Sequence, residues 1–213
     1  MNANRRITFY LDFISPFAYL ANAKLPEIAE RCGVEIDYRA INVMHAKLAA
    51  GNFTPSTRTL VAKARYIRAD RLAWAERYGL PMHDPKAFHA PRLNSGLLWA
   101  GECGCARAYT DAAFHRVWGL GGDPDDEALL ADVAKDAGLQ PQALFDYLQT
   151  AQAQARYHAV QQEAYQRGVF GVPMILASNQ RFWGNDRLDF LEEFLAATPP
   201  GVPVSEPATH NSH

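Results

Sequence analysis

The apolar positions change period along the chain, and the changes divide it. Ile7–Phe13 (ITFYLDF) is rich in aromatic and β-branched residues and predicts a buried strand. Ser15-Pro16 follows, an N-cap residue and then the residue favoured at the first helical position. Tyr19, Leu20, Ala23, Ile28 and Ala29 recur at near-helical spacing up to Cys32, and Gly33 closes that helix. Val34–Ile41 alternates, with Val34, Ile36, Tyr38 and Ala40 on one face, as a second strand should. The opening therefore reads strand–helix–strand, long enough for a right-handed parallel crossover.

From Val43 to about Gly168 the strand signal disappears. Leu60, Ala64, Ile67, Trp74 and Tyr78 form one stripe of a long helix that Gly79 and Pro81 end. Leu97–Gly101, Ala106–Trp118, Asp125–Ala137 and Pro141–Val169 predict further helices, with Asp123-Pro124-Asp125 as a start signal and Gly138 as a stop. The strand pattern returns at Pro173–Ala177, turns at Ser178-Asn179 and continues through Gln180–Trp183 as a hairpin. A last helix carries Leu188, Leu191, Phe194 and Leu195 on its apolar stripe. The order β-α-β, helices, β-β-α is that of an α/β thioredoxin-like fold with a large all-helical insertion. The expected partition is 1–42 with 168–197 for the thioredoxin-like part, 43–167 for the insertion and 198–213 for a disordered, Pro-rich tail.

Composition narrows the function. A chain of 213 residues with 48% hydrophobic content buries a core without staples, and three Cys cannot build a disulfide scaffold. A net charge of −2 offers no basic face for nucleic acid, and no apolar run reaches the length of a membrane span. Asp12 interrupts the first apolar run and no small-residue cleavage site follows, so a cytoplasmic protein is expected. Cys103-Gly104-Cys105 is too tightly spaced for a two-cysteine zinc site, and no metal is expected.

In a thioredoxin-like fold the reactive group lies after the first strand, at the start of the first helix. That place holds Ser15-Pro16-Phe17-Ala18, so the attacking and resolving cysteines of disulfide exchange are missing. Read alone, Ser15 is an N-cap. Its hydroxyl, with the positive end of the helix, can also stabilise a thiolate brought in by a ligand. Lowering a thiol from pKa ≈ 8.5 by about 1.5–2 units takes roughly 2–3 kcal/mol, within reach of that pair. Phe170-Gly171-Val172-Pro173 marks the place of a cis-proline, where Val172 could pair with an extended ligand. Asn185 and Asp186 stand at a helix start, where they can cap or hold a ligand's charged group. Lys47, Asn52, Arg58 and Arg92 are candidates for a substrate carboxylate, although most residues of these types are simply solvated.

Three blocks together resemble a known family. Tyr10-Leu11-Asp12-Phe13-Ile14-Ser15-Pro16-Phe17-Ala18-Tyr19-Leu20, Phe170-Gly171-Val172-Pro173 and Phe182-Trp183-Gly184-Asn185-Asp186-Arg187-Leu188 are similar to the 2-hydroxychromene-2-carboxylate isomerases. These belong with the kappa-class glutathione transferases in the DsbA-like group. Gly51-Asn52, Pro55-Ser56, Arg58 and Trp74-Ala75 fit the same pattern. The resemblance implies glutathione as cofactor, with Ser15 activating its sulfur, Val172 pairing with its backbone, and Trp183, Gly184, Asn185 and Asp186 holding its γ-glutamyl end. It implies that Lys47, Asn52, Thr57, Arg58 and Phe88 line the site of a small aromatic carboxylate, and that the protein is a homodimer. Two positions depart from the pattern, Phe88 for an expected Tyr and Thr57 for an expected Asn; both touch the substrate half. A kappa-type transferase forming stable conjugates and a non-catalytic DsbA-like binding or chaperone module are the competing expectations.

Overall fold

The computed structural model describes residues 5–53 and 59–198. Strand β1 (Arg6–Leu11) is fully buried beyond its first residue. It ends two residues earlier than its apolar pattern predicts, because Asp12 turns the chain. The Asp12 carboxylate accepts the Ile14 amide at 3.3 Å, and its carbonyl accepts the Ser15 amide at 2.9 Å. Helix α1 (Pro16–Cys32) starts at the Ser15 cap and ends on Gly33, which adopts φ 61° and satisfies the last turn's carbonyls. Strand β2 (Glu35–Ala40) then pairs parallel with β1, in the register Ile7 to Ile36 and Leu11 to Ala40. At the other end of the chain, β3 (Met174–Ala177) pairs antiparallel with β1 and β4 (Gln180–Trp183) antiparallel with β3. The sheet order β2-β1-β3-β4 is the thioredoxin arrangement expected from the element order. The Val172–Pro173 peptide bond is cis, at the place the sequence marked.

The block between the strands is helical: α2 (Val43–Ala49), α3 (Val61–Tyr78), α4 (Pro91–Glu102), α5 (Ala106–Phe114), α6 (Glu127–Asp136), α7 (Pro141–Leu148) and α8 (Ala151–Gln166). Helix α9 (Leu188–Ala197) closes the fold and buries Leu188, Leu191 and Leu195. Three sequence expectations need correction. The predicted helix over Pro141–Val169 is two helices, because Thr150 caps a new start, its hydroxyl accepting the Ala153 amide at 3.1 Å. Helix α4 begins at Pro91 rather than near Leu97, with proline at its first position. The helix read over Ala106–Trp118 widens into a π-helical turn at His115–Gly119, which carries Trp118 into the interior. The Pro-rich tail expected over 198–213 lies, from residue 199 onward, outside the described residues.

One apolar core joins the sheet to the helical block. Ile7, Phe9, Leu11 and Phe13 from the first strand and its exit share it with Leu93 and Leu97 of α4, Phe114, Trp118 and Leu130. Side chains of this size contribute about 1.5–3 kcal/mol each on full burial. The consequence for the site is rigidity. The turn carrying Ser15 is packed from below by Phe13 against Tyr109 and Phe114, at ring separations of 6.1 and 4.9 Å.

Candidate active site

Ser15 is positioned by its neighbours on both sides. Its amide is tied back to Asp12, and its Oγ accepts the Ala18 amide at 3.2 Å. That bond uses an oxygen lone pair, so the hydroxyl proton remains to be donated outward. Ser15 is buried, yet it lines a cavity of about 380 Å³ at the start of α1. Ile14, Pro16, Phe17, Met44, Phe88 and Trp118 supply apolar walls. Lys47, Arg68, Arg71 and Asp84 are the charged residues among those lining it, three cations against one anion. No acidic side chain occupies the first turn of α1, so the helix end stays electropositive.

The Ser15 turn rests on a buried polar cluster that the sequence did not single out. The Asp12 carboxylate, fully enclosed, accepts from Val43 N at 2.9 Å and from Asn94 Nδ2 at 3.0 Å, besides Ile14 N. Burial raises its pKa above the ordinary carboxylate value, against the pull of those three hydrogen bonds. Asn94 also donates to Ile41 O at 3.3 Å and to the Tyr157 hydroxyl at 3.1 Å, while its Oδ1 accepts the Phe13 amide at 3.3 Å. Asn94 thereby joins α4, α8, the exit of β2 and the Ser15 turn. Trp118 closes the opposite side, donating from Nε1 to Phe13 O at 2.9 Å.

The remaining sequence candidates divide. Lys47 and Phe88 stand in the Ser15 cavity, Phe88 with its ring 6.2 Å from Trp118. Asn52 is exposed and does not line the cavity; its amide donates to Lys47 O at 3.0 Å. Thr57 and Arg58 lie outside the described residues. Arg92 is turned elsewhere, paired with Glu127 at 3.2 Å and resting over the Phe145 ring. Val172 precedes the cis bond and stands outside both ladders, since β3 pairing begins at Met174. Trp183 is exposed and packs edge-on against Phe170 at 4.8 Å. Gly184 has φ 111° and donates from its amide to Pro173 O at 3.0 Å, a conformation that favours glycine.

Asn185 and Asp186 line a second, smaller cavity of about 160 Å³, together with Lys24, Arg31, Trp74 and Tyr78. None of its lining residues lines the first cavity. Asn185 is buried and shares this cavity wall with the Tyr78 hydroxyl. Helix α3 faces both cavities. Ala64, Ile67 and Arg71 look onto the first, Trp74 and Tyr78 onto the second. Beyond the exposed Leu60, the apolar stripe of this helix is therefore half-buried cavity wall. Arg71 fills its fourth position, between Ile67 and Trp74. Of the cysteines, Cys32, Cys103 and Cys105 are free thiols outside both cavities, and burial raises the pKa of Cys32 and Cys103.

A family model described as a DSBA-like thioredoxin domain matches residues 6–196. A 2-hydroxychromene-2-carboxylate isomerase of Sphingobium xenophagum is 46% identical over 191 residues, covering 90% of this chain and 98% of that protein. The chain belongs to this isomerase family. A solved structure of a 2-hydroxychromene-2-carboxylate isomerase superposes with a TM-score of 0.85 at 39% identity, covering 90% of this chain and 94% of that one. Glutathione S-transferase kappa 1 of Homo sapiens is a more distant relative, 22% identical over 219 residues, 93% of this chain and 96% of that protein. Among the described residues no helix is long and apolar enough to cross a membrane.

Proposed function

We propose that the protein is a glutathione-dependent isomerase that converts 2-hydroxychromene-2-carboxylate, or a related aromatic intermediate, to trans-o-hydroxybenzylidenepyruvate. The observation that carries this reading is Ser15, with its oxygen held by the Ala18 amide and its proton left to donate, on the wall of a cavity of about 380 Å³. The residues present fit a thiol ligand. The hydroxyl stands at the positive end of α1, and no first-turn carboxylate opposes a negative sulfur there. Val172, outside the strand ladders beside the cis-proline, offers its backbone to an extended peptide ligand.

Glutathione, held at Ser15 and Val172, would supply a thiolate able to add reversibly to the conjugated carbon of a ring-opened 2-oxo-3-enoate, so that the former double bond could rotate before elimination restores it. Ser15 donates its hydrogen bond to the sulfur, holding it in the charged form at neutral pH. Lys47 stabilises the negative charge that develops on the 2-oxo oxygen. Phe17, Phe88 and Trp118 exclude water and give the aromatic ring an apolar seat. Phe88 has no hydroxyl, so ring orientation there rests on shape and π contact. The implied γ-glutamyl contacts of Trp183, Gly184, Asn185 and Asp186 belong to this proposal, and the place of Asn185 and Asp186 on the wall of the second cavity supports them.

Purified protein incubated with 2-hydroxychromene-2-carboxylate should form the trans-enone only when glutathione is present, and Ser15→Ala should lower kcat/KM on the order of 100-fold. A stable thioether product would instead support the kappa-type transferase. No isomerisation by wild type, together with peptide binding that Ser15→Ala leaves untouched, would support the non-catalytic binding module.

A further inference from the structure

The Ser15 cavity holds a buried guanidinium that no part of the mechanism above uses. The Arg71 side chain is only 8% exposed, and its Nε has no hydrogen-bond partner among the described residues. Its Nη2 donates to Asp84 Oδ1, and its guanidinium carbon lies 5.3 Å from the centroid of the Trp118 ring. A buried cation with an unfilled N–H is costly unless something fills it. Nε–H and Nη2–H form the side-on edge of the guanidinium, the edge that takes a carboxylate with two parallel bonds. Asp84 uses one of the two. Asp84 is also half exposed and within 3.7 Å of Arg68 Nε, so it has a second cation to turn to. Two arginines sharing one aspartate leave a positive charge for an incoming anion.

We propose that Arg71 receives the carboxylate of the substrate, side-on through Nε and Nη2, with Asp84 as the internal carboxylate that occupies half of that edge in its absence. This rests on the isomerase reading and deepens it: it assigns the acid group of an aryl 2-oxo acid to a residue on α3. The Trp118 ring holds the guanidinium plane, and because Trp118 is bonded to Phe13 O the anchor is tied to the turn that carries Ser15. A carboxylate fixed at Arg71 places the conjugated carbons of the same molecule in the cavity that Ser15 lines.

The test is steady-state kinetics with the 2-oxo-3-enoate acid and its methyl ester on wild type, Arg71→Gln and Asp84→Asn. Arg71→Gln should raise KM for the acid by about 10–100-fold with a small change in kcat, the loss expected for a charged hydrogen-bonded pair. Esterifying the substrate should raise the wild-type KM by a similar factor, and the two changes together should add little beyond either, as one shared interaction requires. Asp84→Asn, which removes the competitor, should lower KM for the acid several-fold. Arg71→Gln and Asp84→Asn raising KM alike, or Arg71→Gln and esterification adding in full, would mean that the ion pair only braces α3, and would overturn the assignment. Wild-type isomerisation with an unchanged KM in Arg71→Gln would overturn this inference alone. No glutathione-dependent isomerisation by wild type would overturn both it and the reading beneath it.

Discussion

Helices α4 and α3 both present apolar side chains at helical spacing, yet the fold treats them differently. Of the 12 residues of α4, Leu93, Asn94, Ser95, Gly96, Leu97, Leu98 and Ala100 are buried; of the 18 in α3, only Arg71 and Ala75 are. Helix α4 packs against β2, α5, α7 and α8, which cover most of its surface. Helix α3 packs mainly against α1 and leaves Val61, Tyr66 and Leu72 exposed on its far side. Its inner side borders two cavities. The difference separates scaffold from wall. Helix α4 holds the Ser15 turn through Asn94, while α3 presents a cation to whatever fills the cavity.

That comparison predicts a steep gradient in the cost of substitution. Asn94→Ala should be the most damaging, because it strips a donor from the enclosed Asp12 carboxylate and an acceptor from the Phe13 amide. A loss of roughly 3–5 kcal/mol in chemical denaturation is expected. A loss under about 1 kcal/mol would mean that α4 is no better fixed than α3. A smaller effect should appear with pH. Burial raises the Asp12 carboxyl, so the folded protein holds that proton more tightly than the unfolded chain does. Its contribution is fully present below the ordinary carboxylate pKa and is lost as pH rises through the raised value. Wild type should therefore lose stability relative to Asp12→Asn as pH climbs from acid towards neutral, measured by denaturant midpoints. The opposite slope would mean that the hydrogen bonds outweigh the burial. At the bottom of the gradient, Tyr66→Ala on the outer face of α3 should change stability by no more than about 0.5 kcal/mol.

The sequence exposed local features well and convergent ones poorly. The Ser15 cap, the Gly33 stop and the proline after Val172 are set by residues within a few positions of one another, and the parallel crossover follows from the strand–helix–strand order of one short stretch of chain. Each carries its own chemical signature. Thr150 carried one too, but the continuous apolar pattern from Pro141 onward masked a cap that divides α7 from α8. Asn94 could not be recognised, since its partners Asp12, Phe13, Ile41 and Tyr157 are brought together only by the fold. Arg71 left a visible trace: it occupies the position of the α3 stripe where an apolar residue is due. A cation there is out of place against a core and in place against a ligand. The substrate candidates at Thr57 and Arg58 lie outside the described residues, while Lys47 and Phe88 reached the cavity from segments far apart in sequence.

The central claim is that Ser15 and the start of α1 hold the sulfur of bound glutathione as a thiolate. Its direct test is a titration of the ultraviolet thiolate absorbance of glutathione bound to wild type and to Ser15→Ala. In wild type the apparent pKa should fall about 1.5–2 units below that of a free thiol, and in Ser15→Ala most of that shift should be lost. A bound thiol that titrates like free glutathione in wild type, or identically in both proteins, would contradict the account.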